Sequence, residues 1–216
     1  FICIIKNSKR KLQMLHYEAV ELATLELLKQ VQRIPLLSET RLVGGTSLAL
    51  QIGHRKSVDI DLFGEIACDQ YELINALSDL GNLTILKESK NIHVFQINGI
   101  KLDIVNYKYQ WIKPMIVEDN LRLANMEDVA AMKITAIIGR GTKKDFIDLA
   151  FLLDYFSLDE ILNFYEKKYP EASRFMEMKS VAYFDDAEVE PMPYMLNERS
   201  WGDIKEKILR KMYQSN

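Results

Sequence analysis

Asp59 and Asp61 are the residues whose type and spacing most directly predict chemistry in this sequence. The segment from Val58 to Phe63 alternates as a strand does, and side chains two apart in a strand point to the same face. We expect the apolar residues, Val58 included, to face the core. The two carboxylates then lie roughly 6–7 Å apart and can chelate one or two divalent cations. The alternative is a solvated strand face that carries two acidic residues.

A third carboxylate, Asp103, lies in a predicted hairpin. Asn98-Gly99 separates two apolar runs and is a strong hairpin signal. In the second strand, Ile100 to Val105, the residues Leu102 and Ile104 face one way and Asp103 faces the other. If this strand neighbours the Asp59 strand, Asp103 completes a three-carboxylate site. The alternative is an edge strand with one exposed aspartate.

Two glycines, Gly44-Gly45, connect a short extended run to a predicted short helix, Leu48 to Ile52. Glycines let backbone amides approach an anion closely, and a helix N-terminus adds a favourable dipole. Thr46 follows directly and also lies just before the predicted helix. Together they are candidates for binding phosphate, and the alternative is a simple turn.

Basic residues further along the chain could offset the charge of a phosphate chain. Lys133 and Arg140 share one face of a predicted helix, and Lys143 and Lys144 follow. The alternative is an ordinary solvated helix face. The carboxylates of the next segment, Asp145 and Asp148, either orient those cations or stabilise the N-terminus of the helix that they begin.

Two further groups of residues have two interpretations each. Arg55 and Ser57 lie in the turn that enters the Asp59 strand, where they either contact substrate or stabilise the turn. The aromatic residues Tyr107, Tyr109 and Trp111 either stack on bases or pack a seam between domains.

The order of elements predicts an α+β fold, with a small mixed sheet and flanking helices followed by a helical C-terminal half. We place the boundary after residue 124, giving domains 1–124 and 125–216. Helical spacing predicts helices over 12–33, 127–139 and 144–156. Capping residues predict the start of three more, at Asp69 with Glu72, at Ser157 with Glu160 and at Ser200 with Asp203. The stretch 189–196, with two prolines, is predicted as loop.

Composition narrows the class of protein. The chain has 216 residues, of which 48% are hydrophobic and 27% charged, and its net charge is −3, so contact with nucleic acid requires a local basic patch. Two cysteines without a CxxC spacing predict neither a disulfide framework nor a zinc site, and favour a reducing cytoplasm. The first apolar run, Phe1 to Ile5, is too short for a signal peptide or a membrane span. Because the chain begins with Phe, we expect it to be part of a longer one.

These motifs resemble a known family. One pattern is similar to the signature of the DNA polymerase β-like nucleotidyltransferases. It consists of a hydrophobic residue followed by Gly-Gly, then thirteen residues, then Asp-hydrophobic-Asp-hydrophobic. The chain more closely resembles the AbiEii/AbiGii toxin-type nucleotidyltransferase family. The matching segments are 44–51, 53–55, 59–63, 132–136 with Arg140, 144–149, 183–188 and 191–193. The resemblance spans roughly Thr40 to Trp201, and differs where many relatives have Gly-Ser in place of Gly44-Gly45.

The resemblance implies an enzyme that uses Mg²⁺ and a nucleoside triphosphate to move a nucleotide to an acceptor hydroxyl. It makes Asp59, Asp61 and Asp103 the expected catalytic and metal-binding residues. The expected nucleotide-binding residues are Gly44, Gly45, Thr46, Arg55, Ser57, Lys133, Arg140 and Lys144. It also implies the toxin of a toxin–antitoxin pair, with tRNA or another RNA as acceptor and an antitoxin protein as partner. The alternatives are a binding module without turnover and a nucleotidyltransferase that acts on a small molecule of the aminoglycoside type.

Overall fold

A computed structural model describes residues 15–214. The strands are β1 (Thr40–Leu42), β2 (Ile60–Gly64), β3 (Leu83–Glu88), β4 (Ile92–Ile97), β5 (Ile100–Asn106), β6 (Ile116–Glu118) and β7 (Leu121–Leu123). The helices are α1 (Leu22–Val31), α2 (Gly44–Ile52), α3 (Gln70–Ser78), α4 (Met126–Gly139), α5 (Lys143–Leu152), α6 (Leu158–Lys168), α7 (Arg174–Val181), α8 (Asp185–Glu188) and α9 (Trp201–Gln214). Short 3₁₀ turns cover Tyr17–Ala19 and Pro35–Leu37. The predicted α+β class, with its mixed sheet and helical C-terminal half, is confirmed.

All seven of these strands form one mixed sheet in the order β3-β4-β5-β2-β1-β7-β6. Strand β2 lies near its centre, parallel to β5 and antiparallel to β1. Strand β5 also pairs antiparallel with β4. The edge-strand alternative for β5 is therefore wrong, because both of its sides are paired.

Two apolar clusters form the core of the described chain. One lies between the sheet and helices α1 and α3, and includes Leu28, Ile60 and Phe95. The other is built mainly from the helices that follow β7, and Val43 and Leu48 also belong to it. The predicted boundary at 124/125 falls between β7 and α4 and stays a prediction. The participation of Val43 and Leu48 shows that the first half packs into the second.

Local sequence signals predicted several elements correctly. Asn98 and Gly99 have φ of 50° and 87° and connect β4 to β5, as the hairpin signal indicates. Asp69 and Ser157 each form a complete capping box at the start of α3 and α6. Ser200 and Asp203 exchange hydrogen bonds in the same way at the start of α9. These signals succeed because each partner is within three residues.

The helix predicted over 12–33 is wrong for residues 15–21, and residues 12–14 lie outside the described part. The helix begins only at Leu22. Before it, the His16 amide donates to the Leu50 carbonyl, and the Ala19 carbonyl accepts from the Ser57 amide. The backbone is therefore bonded to distant segments, which a helical spacing of leucines does not reveal.

Other differences concern strands and helix ends. Strands β3, β6 and β7 were not predicted, and the helix expected over 144–156 ends at Leu152. Val58 does not face the core, because it lies before β2 and is 45% exposed. Residues 189–196 have no helix, and one bridge joins Met195 to Arg55. No helix among residues 15–214 is long and apolar enough to cross a membrane.

Candidate active site

Strand pairing brings two of the predicted carboxylates side by side. Asp61 in β2 is the register partner of Asp103 in β5. Directly opposed residues of neighbouring strands point to the same face of the sheet, and Leu102 and Ile104 are buried on the other face. Asp59 lies one residue before β2 and lines the same cleft. The pairing required for a three-carboxylate site is therefore present.

Asp61 has a strongly perturbed acidity. Burial first, and then the negative charges of Asp103 and Asp59, raise its pKa to about 6, against the opposing positive charge of Lys133. No described residue donates a hydrogen bond to its side chain. A carboxylate in this position is costly while it is charged, and such sites are common where a cation or a proton is exchanged.

Asp103 is held on one side only. Its Oδ2 accepts a hydrogen bond from the Lys101 ammonium at 2.8 Å, while its Oδ1 is buried and has no hydrogen-bond partner among the described residues. A buried acceptor without a partner is uncommon in folded proteins. The free Oδ1 therefore has the capacity to bind a ligand.

The N-terminus of α2 faces these carboxylates. Gly44 begins the helix with φ of 68°, and a Cβ at this position would collide with the Asp61 carboxylate. Both the backbone conformation and the space thus require glycine. No side chain caps the helix, so its first amides are available to an anion.

Gly45 is required for a different reason. A Cβ there would collide with the Arg55 guanidinium and press on the Ser57 hydroxyl. The Thr46 hydroxyl is buried and hydrogen-bonded to Ser57 at 2.9 Å and to the Asp59 carbonyl. These contacts tie the first turn of α2 to the segment that enters β2.

Arg55 is buried against Asp148 of α5. Its Nε donates to Oδ1 at 2.7 Å and its Nη2 to Oδ2 at 2.9 Å, the bidentate geometry of a strong ion pair. Burial lowers the pKa of Arg55, but the negative charge of Asp148 outweighs it and raises that pKa. Burial likewise raises the pKa of Asp148, but the positive charges of Arg55 and Lys133 hold it well below its usual range. Arg55 thus makes a salt bridge that joins the two halves, and it also lines the cleft.

Lys133 of α4 is buried between two acidic residues. Its ammonium lies 3.1 Å from Asp145 Oδ1 and 2.5 Å from Asp148 Oδ2, and its exposure is 4%. The alternative of a solvated helix face is therefore wrong for this residue. Asp145 and Asp148 orient the cations, which was one of the two interpretations open from the sequence.

Arg140 follows α4 and is the more accessible cation. Its side chain is 64% exposed, and its Nε donates to Asp145 Oδ2 at 2.8 Å. Burial would raise the pKa of Asp145, but the hydrogen bond from Arg140 and the charge of Lys133 lower it to about 2. Lys144 is exposed and lines the same cleft.

Lys143 does not join this patch, contrary to the prediction. Its ammonium donates to the Glu188 carbonyl at 3.2 Å and to the Glu190 carbonyl, and it lies 5.0 Å from the centre of the Trp201 ring. It therefore fastens the segment before α9 to α5. No local pattern indicates these partners, because they are more than 40 residues away along the chain.

Two adjoining clefts open at these residues. The charged cleft has a volume of about 840 Å³ and is lined by all the predicted site residues except Gly44 and Thr46. The aromatic cleft has about 630 Å³, and Tyr107, Tyr109, Tyr165 and Tyr169 lie in its wall. The two clefts share five lining residues, namely Gly45, Asp61, Asp103, Lys133 and Arg140.

Sequence reasoning missed part of the charged cleft. The loop residues Glu190, Pro191, Pro193 and Tyr194 form one wall. The Lys56 amide donates to the Tyr194 carbonyl at 2.8 Å, and the Leu196 amide to the His54 carbonyl at 3.0 Å. The prolines predicted a loop, but nothing local indicated where it would dock. His54 Nε2 also contacts Asp148 at 2.7 Å.

The residues fit a divalent cation in their chemistry. Carboxylate oxygens are the ligands that Mg²⁺ prefers, and the buried Asp103 Oδ1 has no hydrogen-bond partner among the described residues. Among residues 15–214, however, no three His, Cys, Asp or Glu side chains are arranged to hold a metal ion as they stand. Binding by all three carboxylates therefore requires their side chains to rearrange.

Comparison with solved structures places the fold. The chain is similar to JHP933 from Helicobacter pylori, with 16% identity, a TM-score of 0.57 and coverage of 89% of this chain and 88% of that one. It is also similar to MenT4, the nucleotidyltransferase toxin Rv2826c from Mycobacterium tuberculosis H37Rv. The two chains are 11% identical, the TM-score is 0.57, and the likeness covers 88% of this chain and 80% of MenT4. At these identities, the likeness shows the fold.

Comparison of sequences shows the family. An uncharacterized protein of Aquifex aeolicus strain VF5 is 33% identical over 193 residues, covering 87% of this chain and 93% of the relative. The family model described as nucleotidyl transferase AbiEii toxin, type IV TA system, matches residues 26–112 and 98–213. The chain therefore belongs to the AbiEii family of nucleotidyltransferase toxins and is a nucleotidyltransferase.

Proposed function

We propose that this enzyme uses Mg²⁺ to transfer a nucleotide from a nucleoside triphosphate to a hydroxyl of an RNA, such as the acceptor end of tRNA. The observation that carries the proposal is the pairing of Asp61 with Asp103 in front of the uncapped N-terminus of α2. Carboxylates that can bind a cation thus lie beside backbone amides that can bind an anion. That combination suits a metal-bound phosphate chain.

Asp59, Asp61 and Asp103 would hold the cation. When bound, the cation would supply positive charge that offsets the negative charge of the phosphates during transfer. We expect Asp103 to release the Lys101 ammonium, which now occupies its Oδ2, when both of its oxygens are needed. Asp61 must lose its proton, because its pKa of about 6 leaves part of it neutral below neutral pH.

The basic residues would neutralise the rest of the triphosphate. Arg140 is exposed and anchored at one edge by Asp145, which leaves part of its guanidinium free to bind phosphate. Lys133 lies behind it and adds positive charge to the wall that both clefts share. The amide of Gly45 and the ammonium of Lys144 would complete the set, with Thr46 and Ser57 supporting the turn and Arg55 fixing its position.

The transfer itself is a single displacement. The oxygen of the acceptor hydroxyl bonds to the α-phosphorus while the bond from that phosphorus to the bridging oxygen of the β-phosphate breaks, and pyrophosphate leaves. The hydroxyl proton passes to a carboxylate, for which Asp103 is the candidate because its Oδ1 has no partner among the described residues. Acidic and basic residues thus have separate roles.

A toxin–antitoxin setting is part of the proposal. The family description supports a toxin, and MenT4 is named as a nucleotidyltransferase toxin. We propose that an antitoxin protein is its partner. The reducing cytoplasm predicted from the cysteines remains a prediction.

Incubation with each labelled nucleoside triphosphate, Mg²⁺ and total tRNA tests the function. We expect label on RNA with wild-type protein and none with Asp61→Asn. Label on an added aminoglycoside, but not on RNA, would support the small-molecule alternative. The absence of label from every acceptor, with nucleotide still bound, would support the alternative of a binding module.

A further inference from the structure

The aromatic cleft is a second compartment beside the carboxylates. It is lined by four tyrosines and by Phe63, together with apolar residues of α4 such as Met132 and Ala136. Apart from the residues shared with the charged cleft, Glu171 is the one acidic residue in its described lining. This composition does not suit a polycation or a chain of phosphates, because neither would find enough opposite charge there.

The tyrosines are held in fixed positions. The hydroxyls of Tyr107 and Tyr169 lie 2.8 Å apart, and the Tyr109 ring meets the Tyr169 ring edge-on, with centroids 4.8 Å apart. Behind them, the buried Lys168 ammonium lies 5.0 Å from the centre of the Tyr107 ring and is paired with Asp128 at 2.8 Å. Cation–π and aromatic contacts of this kind fix ring orientation.

Tyr109 is the exposed member of this group. It is 47% exposed, although it contacts the rings of both Tyr107 and Tyr169. An aromatic side chain that is fixed by its neighbours and still open to solvent offers a surface on which a planar ring can stack. The cleft thus combines an open ring with a rigid support.

The position of the cleft indicates what would stack there. In-line displacement requires the attacking hydroxyl and the leaving pyrophosphate to lie on opposite sides of the transferred phosphorus. The two clefts meet at Asp61 and Asp103. If the phosphates bind in the charged cleft, the aromatic cleft is therefore the place for a nucleoside that is attached to that phosphorus or attacks it.

Resting on the proposed function, we infer that the aromatic cleft binds a nucleobase, by stacking on Tyr109 within the frame of Tyr107 and Tyr169. The base belongs either to the nucleoside triphosphate or to the terminal nucleotide of the acceptor RNA. In both cases the cleft would set base preference, while the charged cleft binds phosphate without regard to the base.

Binding measurements without turnover test this inference. The probes are each of the four nucleoside triphosphates, inorganic tripolyphosphate and a short single-stranded RNA, titrated at fixed Mg²⁺ into wild type, Tyr109→Ala and Tyr109→Phe. We expect Tyr109→Ala to weaken a nucleotide or the RNA by about tenfold, the effect of losing one base–aromatic stack. Tyr109→Phe keeps the ring and should bind as wild type does. Tyr155→Ala removes a tyrosine that is 52% exposed outside both clefts and serves as the matched control.

The outcomes separate the sources of the base. Weaker binding of a nucleoside triphosphate alone identifies the base of the donor, and weaker binding of RNA alone identifies that of the acceptor. Unchanged affinity for both probes in Tyr109→Ala overturns the inference, as does an equal loss for tripolyphosphate, which has no base. Because these affinities do not depend on transfer, an inactive protein that still loses base binding in Tyr109→Ala would overturn the proposed function alone.

Discussion

The pKa of Asp61, about 6, marks a pH at which the charge of the site changes. The ordinary value is 3.8, so the unfolded chain loses this proton before the folded protein does. The contribution of Asp61 to stability is therefore present below pH 4 and is lost as the pH rises through 6. Above pH 6 the cost is about 3 kcal/mol, at about 1.4 kcal/mol per pKa unit.

Asp61→Asn should therefore increase the free energy of unfolding above pH 6 by up to about 3 kcal/mol, with little change below pH 4, while transfer activity is lost. Urea unfolding from pH 4 to 8 in a metal chelator measures this. Asp79→Asn, which changes an exposed aspartate at the end of α3, is the control and should show a much smaller pH dependence. A variant less stable than wild type at pH 8, or one that retains activity, contradicts the assigned role.

Gly45 lies where the structure leaves no room for a side chain. A side chain at this position meets the Arg55 guanidinium, which Asp148 holds in place. We expect Gly45→Ser to lower the free energy of unfolding by about 1–3 kcal/mol, the usual cost of overpacking. Chemical denaturation of the variant measures the change, and Gly99→Ala at the hairpin provides a comparison in which φ is strained but space is open. No loss of stability in Gly45→Ser would mean that Arg55 moves freely.

At the scale of elements, helix α5 connects the segment before β2 to α4 through its residue Asp148. Asp148 accepts from His54 and Arg55 in the segment before β2, and pairs with Lys133 of α4. Asp148→Asn would leave two buried cations with less compensation, and we expect a loss of about 3–5 kcal/mol. Denaturant midpoints of this variant and of Asp79→Asn give the comparison. A change within about 0.5 kcal/mol, typical of a surface substitution, would show that the cluster is not coupled to folding.

The elements that the sequence predicts well have short-range causes. The β4–β5 hairpin follows from Asn98-Gly99, and the start of α3 from Asp69 and Glu72. Residues 15–21 could not be predicted, because their backbone bonds run to residues 50 and 57. Strand β7 was also missed, since it has three residues and is stabilised by pairing with β1.

The candidate site divides in the same way. The spacing of Asp59 and Asp61 and the face of Asp103 were readable from local alternation, but their adjacency depends on the β2–β5 pairing. The burial of Lys133 between Asp145 and Asp148 depends on how α4 packs against α5. Patterns of single residues indicate chemistry, and tertiary packing decides which charges are paired.

At the scale of the whole molecule, the site lies between the sheet half and the helical half. The carboxylates come from β2 and β5, and the cations from α4 and the residue after it. We expect Arg140→Ala to weaken nucleotide binding at fixed Mg²⁺ by about tenfold, since a charge-assisted contact to phosphate is lost. Equilibrium titration measures it, with Arg33→Ala, exposed in the first half, as the matched control. Equal affinities in wild type, Arg140→Ala and Arg33→Ala would mean that Arg140 only holds Asp145 in place and does not bind the nucleotide.

The most direct test of the shared site is a crystal structure with Mg²⁺ and a non-hydrolysable nucleoside triphosphate. We predict the metal on the carboxylates of Asp59, Asp61 and Asp103, and the triphosphate between the N-terminus of α2 and Arg140. Asp103 should then have released Lys101. A triphosphate bound outside the charged cleft, or a metal ion that neither Asp61 nor Asp103 contacts, would contradict the account.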